Sequence, residues 1–125
     1  MDVMTSRETA TQPEDLTRLF VERANAGDGA GVADLYEPEA VMAYPPGEVT
    51  VGRDAILALW EQVLANAPTF EPEPPLPTLV SGEIALTSTI ARDGTGLRAQ
   101  VARRQADGTW LRLLDLPEIG PPVQR

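Results

Sequence analysis

The chain has 125 residues, enough for one domain with a real core and too few for two. Nineteen acidic residues against ten basic ones leave a net charge of −9, which repels a phosphate backbone and speaks against nucleic acid or an anionic membrane as a partner. All ten basic residues are Arg, and Lys, His and Cys are absent. Disulfides, thiol nucleophiles, thiolate zinc sites, Schiff bases and the usual neutral-pH base therefore drop out.

No apolar run approaches the roughly 20 residues that a membrane span needs. The opening "MDVMTSRETATQPED" has no basic segment leading into an apolar one, so a soluble cytoplasmic protein is expected. Residues 1–12 show no periodicity and are expected as a flexible tail outside the core. From Pro13, "PEDLTRLFVERANAGD" sets Leu16, Leu19, Phe20 and Ala24 at helical spacing. Glu14 and Asp15 sit near the positive end of its dipole, and Gly27 ends it. Asp28 then caps a short second helix, "GAGVADLYEPE", in which Val32, Leu35 and Tyr36 share a face until Pro38.

"AVMAY" reads as a strand, "PPGE" as a turn and "VTV" as a strand stub. The third helix, in "GRDAILALWEQVLANAP", carries one apolar stripe of Ile56, Leu59, Trp60, Val63, Leu64 and Ala67, and Pro68 terminates it. The Pro-laden "TFEPEPPLPTLV" suits an irregular or edge strand, because Pro cannot donate to a ladder. "EIALTSTIA", "LRAQVARRQ" and "TWLRLLDLP" are strands separated by the hairpin signals "RDGTG" and "ADG", which implies an antiparallel meander. "EIGPPVQR" reads as a loose end or a strand extension. The fold class is α+β, with helices on one face of a curved sheet. A single domain over residues 13–117 is flanked by tails at 1–12 and 118–125.

Several pieces recur in a known order here. They are Asn25 to Asp28 closing the first helix, "LY" before an acidic turn, "AVMAYPPG", "GRDAI" and the final "RRQADGTW". Together they resemble the SnoaL-like and ketosteroid-isomerase-like branch of the nuclear transport factor 2 superfamily, over roughly residues 13–117. The resemblance implies a cone: a curved antiparallel sheet wrapped around three N-terminal helices, leaving a deep apolar pocket, commonly in a homodimer paired through the outer sheet face. It implies no single reaction, because this fold hosts many.

The isomerases of that branch use a carboxylate base, an acidic tyrosine and a protonated aspartic acid, at positions that fall here on Tyr44, Phe20 and about Gln100. None of the three keeps the required group. The His that the SnoaL-like cyclases use is missing too. Pocket candidates that remain are Tyr44, Trp60, Gln100 and Asp115, with Arg98 at the mouth and Phe20 on the wall. Alternation puts Leu111, Leu113 and Asp115 on one face of the last strand and Trp110, Arg112 and Leu114 on the other. The pattern does not choose between the faces; the resemblance places Leu111, Leu113 and Asp115 inside.

A carboxyl among apolar side chains is a suitable general acid or base near neutrality, which makes Asp115 the sharpest candidate. Its purely structural alternative is an ion pair to Arg98, Arg103 or Arg112. Tyr44 suits donation to a ligand carbonyl or oxyanion, or else a core aromatic with its hydroxyl tied to backbone. Trp60 suits a wall. Arg53 and Asp54 suit a helix start, "GDGAG" a helix-to-helix turn, and "EPEPP" a solvated rim rather than a metal site.

The expected function is an apolar small-molecule pocket with proton transfer (isomerisation, dehydration or cyclisation) as the reaction class, without cofactor or metal. Asp115 would move the proton while Tyr44 and Gln100 polarise an oxygen. The alternative is a non-catalytic ligand-binding or dimerisation module. An epoxide-hydrolase-like site is a third reading, for which no clear Asp-Arg-Asp constellation is present.

Overall fold

The computed structural model describes residues 7–92 and 96–119. Three helices, α1 (Asp15–Asn25), α2 (Gly29–Ala33) and α3 (Arg53–Leu64), pack on one face of six strands. These are β1 (Tyr36–Met42), β2 (Thr50–Val51), β3 (Leu79–Ser81), β4 (Ile84–Ile90), β5 (Leu97–Arg104) and β6 (Trp110–Ile119). They lie in the order β2-β1-β6-β5-β4-β3. The expected meander is present in β3 to β6, with β3 at the sheet edge, directly after the proline-rich stretch. The sheet as a whole is mixed rather than antiparallel, because β1 runs parallel to β6. Hairpin signals specify only neighbours in sequence, and this pairing joins strands about 70 residues apart.

The start of α2 carries a side-chain N-cap, whereas at the start of α1 the Asp15 side chain instead ties down the turn that precedes the helix. Asp15 accepts the backbone N–H groups of Thr11 and Gln12, each at 3.1 Å, and Asp28 accepts that of Gly31 at 2.9 Å. Asp28 and Asp34 also hold the Arg7 guanidinium, each at 3.0 Å. Residues 7–12 are therefore not the loose tail expected from their lack of periodicity. Ala10 is buried, and its carbonyl accepts the Trp110 N–H at 2.9 Å. Of the two expected tails, residues 1–6 and 120–125 lie outside the described residues, as does Asp93 to Thr95 in the "RDGTG" turn.

The second helix is shorter than its apolar spacing suggests. It stops at Ala33, and Tyr36 begins β1 instead of closing the helical face with Val32 and Leu35. Pro38 lies inside β1, where the β1–β6 register slips between Tyr36 and Val41 and a missing N–H is tolerated. Tyr44 falls beyond the strand end, at a cis Tyr44–Pro45 bond. Arg53, at the start of α3, donates to the Tyr36 carbonyl at 2.9 and 2.6 Å and so ties that helix to β1. Ile56 and Leu64 of its stripe are buried and Leu59, Trp60 and Val63 half-buried, whereas Ala67 lies past the helix end and is exposed.

The decisive irregularity is in β6. Ala102 faces Arg112 and Val101 faces Leu114, so Leu113 is an extra residue without a partner on β5. Simple alternation breaks there: Trp110 and Arg112 are buried, and so is Asp115, three positions on. The expectation that Leu111 and Leu113 share the inner face with Asp115 is thus corrected, because a bulge shifts the facing by one residue. Leu16, Leu19, Val32, Tyr36, Met42 and Ile56 are fully buried at the centre of the core. Among the described residues no helix is long and apolar enough to cross a membrane.

A Cβ at Gly31 would lie 2.2 Å from Asp28 Oδ2 and 2.8 Å from Arg7 Nε, inside the cap that starts α2. Gly31→Ala is therefore expected to lower the unfolding free energy by about 1–2 kcal/mol, the worth of a lost N-cap, in urea denaturation.

Candidate functional site

A cavity of about 460 Å³ opens between α1, α3 and the inner face of the sheet. Its apolar wall comes from helical stripes too wide to be covered by one another. Phe20 of α1, Trp60 of α3 and Phe70 meet edge to face, with ring centroids 5.1, 5.3 and 6.2 Å apart, and Leu59, Val63 and Met42 extend the surface.

Phe70 belongs to a proline-rich strap, residues 69–75, that borders the opening. The Asn25 side chain binds the strap's backbone as a strand would, donating to the Phe70 carbonyl at 2.8 Å and accepting its N–H at 2.7 Å. At the other end the Ile90 N–H reaches the Pro74 carbonyl at 2.9 Å. The strap's acids are paired: Glu73 accepts from Arg98 at 2.9 Å and Thr89 at 3.0 Å, and Glu71 lies 3.4 Å from Arg92. Among the described residues there is no group of three or more acidic side chains placed to hold a metal ion.

At the inner end, Asp115 of β6 accepts the Tyr36 hydroxyl at 2.6 Å and the Gln100 side-chain amide at 3.1 Å. Gln100 lies opposite Asp115 in the β5–β6 register, and its own oxygen accepts the Thr87 hydroxyl at 3.2 Å. The Tyr36 ring is completely buried. That burial, and next the neighbouring Asp115 charge, push the Tyr36 hydroxyl far above its ordinary range, so it remains a donor. Arg112 works the other way on the same hydroxyl. It is only 3% exposed, with its guanidinium carbon 5.6 Å from the Phe20 ring centre and 5.9 Å from that of Tyr36.

Six of the residues singled out from sequence line this one cavity: Asp115, Tyr44, Phe20, Trp60, Arg98 and Gln100. Leu111 and Leu113 do not, as the β6 bulge requires. Of the three arginines considered as ion-pair partners for Asp115, none takes that role. Arg98 goes to Glu73, Arg103 to Glu37 at 2.8 Å, and Arg112 is in no ion pair among the described residues. Both ends of the Gln100 amide are engaged with protein groups, its oxygen with Thr87 and one of its two N–H donors with Asp115, which it positions. Tyr44 is half-buried, and its hydroxyl has no hydrogen-bond partner among the described residues, leaving it open to the cavity.

Tyr36 and Arg112 were missed. Tyr36 satisfied a helical spacing with Val32 and Leu35, which hid its place at a strand start. For Arg112 the available signal was two charged residues three apart in the apolar run "WLRLLDL": only a bulge lets both face inward.

The SnoaL-like domain profile matches residues 17–113. No curated protein matches the chain significantly. Among solved structures, a chain from Thiobacillus denitrificans provisionally assigned as a calcium/calmodulin-dependent protein kinase type II association domain is 20% identical. The match covers 90% of this chain and all of that one, with a TM-score of 0.70. A ketosteroid isomerase-like protein from Erwinia carotovora atroseptica is 17% identical over 82% of this chain and 89% of its own, with a TM-score of 0.66. A provisionally assigned dehydratase of the NTF2-like family from Streptomyces avermitilis is 18% identical over 87% and 95%, with a TM-score of 0.63. At these identities the likeness is one of fold.

Tyr36→Phe removes a buried hydrogen bond to a carboxylate and is expected to cost about 1.5–3 kcal/mol of stability. The native state keeps the Tyr36 proton where the unfolded chain, ionising near the ordinary tyrosine value of 10.0, releases it. The stabilisation is therefore complete below about pH 10 and declines as pH rises beyond it. Urea denaturation from about pH 8 to pH 11 should show this alkaline loss in the native sequence and a shallower one in Tyr36→Phe.

Proposed function

This chain belongs to the SnoaL-like family, and from that premise we propose that its cavity receives an apolar small organic molecule on which Asp115 moves a proton, in an isomerisation, dehydration or cyclisation. The observation that carries the reading is Asp115 itself. It is a buried carboxylate on the inner wall of a largely apolar cavity, aimed by two donors that leave its remaining lone pairs to a guest. A C–H bond next to a bound carbonyl would break with its proton passing to the Asp115 carboxylate. Its electron pair would then form the new C=C bond as charge moves onto the oxygen, where the Tyr44 hydroxyl donates. Reactions of this class are what the names of the Erwinia and Streptomyces chains denote. The groups that ketosteroid isomerases use do not carry over, because Phe20 has no hydroxyl and Tyr44 is not a carboxylate.

The surroundings complete the proposal. The open sheet is read as curling round the helices in a cone, in a cytoplasmic protein that acts as a homodimer. What favours the dimer is the outer sheet face, where Leu79, Leu86, Val101 and Leu114 stand in one row across four strands, with all three leucines exposed. A second reading, a ligand-binding or dimerisation module without catalysis, is favoured by the hydrogen-bonded closure of Thr87, Gln100, Asp115 and Tyr36, a set that is also stable without a reaction to perform.

Turnover of a panel of enolisable ketones and small polyketides is expected to fall by a factor on the order of 100 or more in Asp115→Asn, and by less in Tyr44→Phe. No turnover by the native protein, or no change in either variant, would leave the non-catalytic reading. Leu86→Glu should convert a dimer to a monomer in light scattering, and a native protein that is already monomeric removes the homodimer.

A further inference from the structure

We propose that Arg112 is an anion-binding residue and that the molecule the cavity takes up is an organic carboxylate with an apolar aryl or alkyl body. This rests on the reading of the cavity as a small-molecule site, and not on catalysis by Asp115.

Three arginines line the cavity, and two have a carboxylate of their own: Arg98 has Glu73 at 2.9 Å and Arg92 has Glu71 at 3.4 Å. Arg112 is the most buried of the three, at 3% exposure, and is in no ion pair among the described residues. Its nearest inner-wall acid, Asp115, is turned toward Tyr36 and Gln100 instead. The faces of Phe20 and Tyr36 stabilise the guanidinium in part. They leave its Nε–H without a hydrogen-bond acceptor among the described residues, and a buried charged donor without one is costly.

A second observation points the same way. Two buried side-chain polar atoms lack a hydrogen-bond partner among the described residues, Arg112 Nε and Trp60 Nε1. Both are N–H donors, both belong to residues that line the cavity, and both residues pack on the Phe20 ring, at 5.6 and 5.1 Å. An imbalance made wholly of donors calls for a guest that brings acceptors. A carboxylate is the planar two-oxygen acceptor that a guanidinium fork matches. The rest of the guest must suit Leu59, Val63 and Phe70, which exclude an extended polar body. A phosphate dianion fits less well, facing Asp115 inside and Glu71 and Glu73 at the opening in a chain of net charge −9.

The test compares 3-phenylpropionate with its neutral isostere 3-phenylpropanamide by calorimetry on the full chain. The carboxylate is expected to bind about ten-fold tighter or more, as a charge-assisted contact would make it, and Arg112→Met to abolish that preference. In the native protein the Arg112 Nε–H and Trp60 Nε1–H NMR signals should shift with the carboxylate and much less with the amide, a readout that holds even if Arg112→Met fails to fold. Equal binding of acid and amide, preference retained in Arg112→Met, or no movement of the Arg112 signal overturns the inference while leaving the cavity a small-molecule site. Binding of neither probe overturns both.

Discussion

A β-strand shows alternate residues to alternate sides, so two charged groups three positions apart in β6 should face opposite ways. The unpaired Leu113 removes that conflict, and its effect spreads through the molecule: Arg112 and Asp115 both turn toward the helices, where the Asp115 carboxylate needs hydrogen-bond donors. Tyr36 meets that need from β1 and Gln100 from β5, the two strands that flank β6. The parallel pairing of β1 with β6 is what brings Tyr36 within reach, and Arg53 at the head of α3 fixes Tyr36 by its carbonyl. A single inserted residue thus sets which charged side chains reach the cavity's inner wall.

The polar groups divide by depth. Near the opening, arginines and glutamates of the strap and strands pair directly with each other and remain partly hydrated, so they contribute little net energy. At the inner end the pairing is indirect: phenol, amide and hydroxyl groups surround the carboxylate, while aromatic faces surround the guanidinium. Charges kept apart in this way retain capacity for a third party, whereas a direct Arg112–Asp115 bridge would have consumed both.

What the sequence disclosed follows from the range of the forces involved. The stripe of α3, the Asp28 cap and the hairpins of β4 to β6 are local patterns, legible in the few residues that form them. Tyr36 was ambiguous because "VADLY" fits a helix turn and a strand start equally, and only the distant partner Asp115 decides between them. Ala10 was invisible for the same reason, since a small residue without periodicity is buried here by a backbone bond to Trp110. Tyr44, Phe20, Trp60, Arg98, Gln100 and Asp115 do line one cavity, but simple alternation assumes a regular β6 and so groups Leu111 and Leu113 with Asp115, which the bulge separates from them. Arg112 could not be placed until the bulge was seen.

The strap at the opening is held to α1 by the reciprocal amide pair of Asn25 with Phe70 as well as by the packing of the Phe70 ring on Phe20. One side chain there does the work of a neighbouring strand, so the segment between α3 and Phe70 spans two fixed posts without belonging to the sheet. Its length can therefore change without disturbing any strand register. Because Phe70 also forms part of the apolar wall, each such change would re-size the entrance and the room inside together. On the proposed reading, the range of admissible guests would then be set apart from the chemistry at Asp115, and each could drift while the other is kept.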